Sequence, residues 1–173
     1  MKGNEMQDAR PTETDRPDRP DQPDPADPVE DSADAATLPS VLIERRVEWV
    51  DTDAAGHYHH SAVQRWVEAA EAVLLRRLGV ADLFGRIPRV HYEVDYRERL
   101  WFGESAHTAL RVVRVGASSL HYEFEVRGTQ GVAATGRLSV VHCPPDAKGA
   151  LPWPDDIRAA LSRGGPQRPE SYA

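Results

Sequence analysis

The chain has 173 residues, 21 of them Lys or Arg and 28 Asp or Glu, with a single cysteine, Cys143. That length holds one domain with a proper core and little besides, and one cysteine excludes an intrachain disulfide, as expected of a reducing cytoplasm. Residues 1–39 carry eleven acidic and four basic side chains, which leaves a formally neutral body with 17 of each and no basic patch for nucleic acid.

Residues 1–38 repeat Asp, Pro and Arg and hold almost no large apolar side chain. Such a stretch buries too little surface to offset its ordering entropy, so an acidic, disordered tail is predicted. It contains no apolar run that would serve as a signal sequence, and nowhere does the chain approach the ~18 apolar residues of a membrane span. A cytoplasmic protein without membrane contact is the expectation.

From Val41 the alternation Val41, Ile43, Val47, Trp49 predicts a first strand that ends at a turn near Asp51. The period then changes. Val63, Trp66, Val67, Ala70, Val73, Leu74 and Leu78 recur at three- and four-residue steps and predict a helix over residues 62–78. Ser61 with Gln64 fits a capping box, Arg76 and Arg77 suit the C-terminal dipole, and Gly79 suits the left-handed stop.

Four more strands follow. Val90, Tyr92, Val94 and Tyr96 alternate with polar residues; residues 105–116 form the next run; Leu120, Tyr122, Phe124 and Val126 alternate again; and 132–142 is the last, stopped by Pro144-Pro145. Short separators indicate antiparallel neighbours. A short helix over 154–161 lies in a C-terminal extension, residues 146–173, beyond a body spanning 39–145. Strand, long helix, four strands is an α+β order. It predicts a five-stranded antiparallel sheet curled around one helix.

The segment Asp51-Thr52-Asp53-Ala54-Ala55-Gly56-His57-Tyr58-His59-His60 sets two carboxylates and three imidazoles before a helix start. Unpaired N–H groups and partial positive charge at such a start suit an oxyanion, and Gly56 permits close backbone approach or a positive φ. An Asp-rich turn also simply caps helices, so spacing alone leaves a cap and a site both open. Adjacent His59 and His60 are expected to point apart, and without HExxH or CxxC no metal site is expected.

Val47 to His60 resembles the opening signature of the 4-hydroxybenzoyl-CoA thioesterase-like hotdog family. The likeness continues through Trp66-Val67-Glu68-Ala69-Ala70 and Val115-Gly116-Ala117-Ser118-Ser119-Leu120-His121-Tyr122-Glu123-Phe124, and covers about residues 41–145. The resemblance implies a hotdog fold and hydrolysis of an acyl-CoA or acyl-carrier-protein thioester, with coenzyme A part of the substrate and no other cofactor. It makes Asp53 the nucleophile or general base and His60 the residue whose N–H polarises the thioester carbonyl. Gly56, His59, Glu68, Ser118 and Ser119 become substrate-binding candidates, Glu68 with a structural role as its competitor. A homodimer or homotetramer is implied, with the acyl-CoA site at the subunit interface. Val63 and Glu71 depart from many relatives, which bears on acyl specificity. A catalytically silent hotdog protein that binds acyl-thioesters or acts in assembly is the rival; no motif matches a hotdog dehydratase.

Overall fold

The computed structural model describes residues 38–172. All but the last residue of the acidic tail lies outside that range. Strand β1 (Ser40–Arg46) buries Val41 and Ile43 as the alternation requires. It stops earlier than expected. Asp51 accepts the Glu48 N–H through Oδ2 at 3.1 Å, and this contact winds Trp49–Asp51 into a 3-10 turn. Trp49 therefore leaves the strand face and is 75% exposed.

Helix α1 (His60–Arg77) buries a stripe from Ala62 to Leu75 that includes Trp66, Ala70 and Leu74. Its N-cap is His59, not Ser61: the His59 Nδ1 accepts the Ser61 N–H, at 3.3 Å. Gln64 is turned to Glu68, 3.3 Å away, so no capping box forms. Gly79 sits at φ 75° past the helix end, a conformation that costs glycine little.

Strands β2 (Arg89–Tyr96), β3 (Ser105–Val115), β4 (Ser119–Gly128) and β5 (Gly131–Val141) follow, and His142 lies one residue beyond β5 instead of within it. After them come helix α2 (Asp155–Leu161) and strand β6 (Glu170–Ser171). The sheet order is β2-β5-β4-β3-β1-β6. Five strands pair antiparallel, as expected, but β6 adds a sixth that runs parallel to β1. The sheet is therefore mixed. The extra strand forms because Arg76 and Arg77 both grip Glu170, while the Tyr172 N–H reaches the Glu44 carbonyl at 2.8 Å.

The core lies between α1 and the inward residues of the sheet, among them Leu110, Leu120, Phe124, Val126 and Leu138. Trp153 and Leu161 from the C-terminal extension are buried with it. Gly136 lets β2, β5 and β4 close up: a Cβ there would meet the Glu93 carbonyl oxygen at 2.1 Å and the Phe124 ring at 2.4 Å. The other sheet face is polar, with Glu123 of β4 ion-paired to Arg111 of β3 and Arg137 of β5. No described helix is long and apolar enough to cross a membrane.

Candidate active site

The link between β1 and α1 folds into a tight turn. The Asp53 N–H donates to the His57 carbonyl and the Gly56 N–H to the Asp53 carbonyl, both at 3.0 Å. Gly56 holds the left-handed φ of 82° that the turn needs, and the ring of Trp101 closes over it, 4.0 Å from where a Cβ would stand.

The two carboxylates of this segment have different surroundings. Asp51 is buried, takes the Arg65 guanidinium at 2.9 Å and the Glu48 N–H at 3.1 Å, and so serves the architecture. Asp53 is more open, its side chain 32% exposed. Its Oδ1 accepts the Ala55 N–H at 2.8 Å, which fixes the rotamer. Its Oδ2 faces His57 Nδ1 at 3.7 Å. That ring nitrogen lies 3.1 Å from the Tyr58 carbonyl, an acceptor only, so the contact is satisfied with a proton on Nδ1.

His59 and His60 do not point apart. The chain turns into the helix between them, and their ring centroids lie 3.9 Å from each other. His59 Nδ1 also meets Ser61 Oγ at 2.8 Å. His60 is the first helical residue, and its N–H has no acceptor among the described residues, as expected of a first-turn donor. Its carbonyl accepts the Tyr96 hydroxyl at 3.0 Å, which ties the end of β2 to the start of α1.

These groups line one cleft of about 340 Å³, formed by Asp53, Tyr58 and the three histidines on one side and Tyr96–Arg99 on the other. Asp53, His59 and His60 thus come together. Glu68 does not join them: it lies eight residues further along the helix, roughly 12 Å at 1.5 Å per residue, and pairs with Arg89 at 3.4 Å. Ser118 and Ser119 lie at the far end of β4. Val126, whose neighbour Ala134 pairs with Tyr96 at the cleft, is seven residues from Ser119, roughly 23 Å along a strand. There the Ser119 Oγ meets His121 Nε2 at 3.0 Å and Ser139 Oγ meets Nδ1 at 2.8 Å. Burial, then the charges of Arg114 and His91, push the His121 pKa down.

Sequence reasoning missed Tyr58, Tyr96, Arg97 and Arg99 as cleft residues. Tyr58 lies in the segment between the first strand and the helix, yet it is buried and its hydroxyl donates to the Ala133 carbonyl at 3.4 Å. Burial, then Tyr96, raises its pKa. Tyr96 closed an alternating strand; only the position of that strand's end against the helix start brings it to the site. Nearby, Trp49, Val50, Trp101 and Phe102 form an exposed apolar lip, Trp101 set edge-on to His57 at 5.8 Å between centroids. Among the described residues no three His, Cys, Asp or Glu side chains cluster as a cation site.

Comparison with known proteins bears on what such a cleft does. The sequence profile of the thioesterase-like superfamily matches residues 47–161. A 1,4-dihydroxy-2-naphthoyl-CoA hydrolase of Prochlorococcus marinus (strain MIT 9303) is 29% identical over 107 residues, covering 54% of this chain and 71% of that protein. Among solved structures, a predicted thioesterase from Bacillus stearothermophilus superposes with TM-score 0.65 at 29% identity, covering 70% of this chain and 93% of that one. A thioesterase from Thermus thermophilus, complexed with coenzyme A and Zn, gives 0.63 at 25% identity and covers 69% and 90%. The profile spans the turn, the long helix and the four strands after it, and on that ground the chain belongs to the thioesterase-like superfamily, with its hotdog-type fold.

Proposed function

We propose that the chain hydrolyses an acyl-CoA thioester to the free acid and coenzyme A, with Asp53 as nucleophile or general base. One observation carries the reading: Asp53, whose Oδ2 accepts no hydrogen bond, and His60, whose N–H has no acceptor among the described residues, line the same cleft. A thioester is already activated, so its hydrolysis asks for an oriented carboxylate, a polarised carbonyl and water. The carboxylate either attacks the carbonyl carbon, giving a mixed anhydride that water opens, or takes a proton from an attacking water. In both routes the carbonyl oxygen gathers negative charge, and the His60 N–H at the positive end of α1 stabilises it. His59 supports that donor as the cap of the helix. The scheme uses the Asp53 carboxylate, the His60 backbone N–H and water, with coenzyme A entering as part of the substrate.

An aromatic acyl group suits the cleft better than a long aliphatic one. The lining includes the rings of His57, Tyr58, His59, His60 and Tyr96, and several relatives are named for an aromatic acyl-CoA. Coenzyme A is preferred to a carrier protein as the thiol on the same names. The reading carries with it a homodimer or homotetramer and a cytoplasmic setting.

Thiol release from aryl- and alkyl-CoA esters, measured on wild type and Asp53→Asn, tests the assignment. The variant should lose on the order of 10²–10⁴ in kcat while keeping its melting temperature. Silence of the wild type toward every ester would leave a binding or assembly protein. Equal rates in both proteins would remove Asp53 from the chemistry.

A further inference from the structure

The cleft has a second wall that the hydrolysis scheme leaves unused. Where β2 ends, Arg97, Glu98 and Arg99 form a rim that borders the Asp53 cleft on one side and a concavity of about 580 Å³ with Trp101, Glu104 and Gln130 on the other. Its backbone is held at several points. The Arg97 and Glu98 N–H groups both donate to the Ala133 carbonyl, at 2.8 and 3.2 Å, and the Leu100 carbonyl accepts the Tyr58 N–H at 2.8 Å. The Tyr96 hydroxyl, just before the rim, is bonded to the helix start.

Several arginines, among them Arg65, Arg76, Arg77 and Arg89, have a carboxylate partner, while others such as Arg86 and Arg114 have none among the described residues. Arg97 and Arg99 have none among the described residues, although they flank Glu98 and share a cleft with Asp53. Glu104, the acid across the second concavity, is occupied by the Trp101 N–H at 3.0 Å. The rim therefore presents two guanidinium groups without a carboxylate partner, on a fixed backbone, beside the reacting carboxylate. A guanidinium is always protonated and offers a planar fork that matches phosphate or carboxylate oxygens.

We propose that Arg97 and Arg99 form an anion subsite on the rim of the Asp53 cleft, which takes the phosphate groups of the thioester's carrier or an acidic substituent of its acyl group. The inference rests on the thioesterase reading. It also answers an electrostatic difficulty within it. A coenzyme A thioester is a polyanion that must approach a carboxylate, and two arginines beside that carboxylate offset the repulsion and draw the substrate in.

The test is the double variant Arg97→Gln/Arg99→Gln, first shown to melt like wild type. Binding of free coenzyme A by calorimetry and kcat/KM toward benzoyl-CoA should both fall on the order of tenfold or more, the kinetic loss lying in KM. Raising the salt should weaken coenzyme A binding to wild type and narrow the gap to the variant. Benzoyl-N-acetylcysteamine, which lacks every phosphate, should show no comparable loss. A loss seen instead on a carboxylated aroyl-N-acetylcysteamine, with benzoyl-CoA spared, assigns the subsite to the acyl group. Equal losses on charged and neutral esters, or no loss on any, overturn the proposal. Should the wild type cleave nothing, the hydrolase reading falls, and binding of free coenzyme A and of the carboxylated aroyl-N-acetylcysteamine to wild type and variant still decides whether the rim is an anion subsite.

Discussion

Glu71 is a carboxylate on the buried stripe of α1, only 1% exposed. Its Oε2 accepts the Arg89 guanidinium at 2.7 Å, while Oε1 has no hydrogen-bond partner. The buried Tyr122 hydroxyl is its neighbour and is likewise left without a well-formed hydrogen bond. Burial raises the Glu71 pKa, and Arg89 only partly opposes this. Folding thus favours the protonated acid. Between the ordinary carboxylate value of 4.5 and the raised folded value, the native state binds more protons than the unfolded chain. Stability from this site is full below that window and declines as pH rises through it. Glu71→Gln removes the ionisation, so its melting temperature should gain on wild type progressively as pH rises from about 4.5 upward. A difference independent of pH would show that Glu71 is not the group responsible. The helical period already placed position 71 among apolar neighbours. What it did not disclose is Arg89, the partner that β2 brings back from eighteen residues away.

Among the elements, α1 shows how a start signal is misread and why the reading matters. Ser61 and Gln64 have the spacing of a capping box, yet the helix begins earlier because the His59 imidazole does the work of an Asn or Asp side chain. Cap preferences favour short oxygen-bearing residues, so a histidine gives no strong signal. His59→Ala should cost about 1 kcal/mol of stability and lower kcat beyond that, since the His60 N–H loses its fixed direction. His59→Asn restores an acceptor and should recover both. Melting curves and thiol release for the pair decide it, and an Asn variant no better than Ala would deny His59 its capping role. The long strands were legible for the opposite reason. In β4 the residues Leu120, Tyr122, Phe124 and Val126 alternate over enough length for the period to declare itself, and all four are buried. Strand β6 has two residues and no period. It exists through Glu170 and its two arginines, a tertiary contact that no local pattern encodes.

At the scale of the whole molecule the two sheet edges are unequal. β1 is partly covered: β6 pairs with Ile43 and Glu44, and Pro166 bridges to Ser40. β2 pairs with β5 on one side and with no described strand on the other. A bare edge of eight residues is long enough to template another strand. It also carries an apolar side chain outward: Val90, at the break in register between Arg89 and His91, is 61% exposed. The same strand continues into Tyr96 and the arginine rim of the cleft. A second copy that pairs along β2 would join the two sheets and place two clefts along one seam, in keeping with the proposed homodimer. Light scattering at micromolar concentration should then give twice the chain mass. Val90→Lys, which sets a charge on the edge, should shift the equilibrium toward monomer and lower thiol release on dilution, because the loosened β2 end no longer holds Tyr96 against His60. A wild-type monomer would remove the dimer altogether. A dimer indifferent to Val90→Lys would move the seam away from β2.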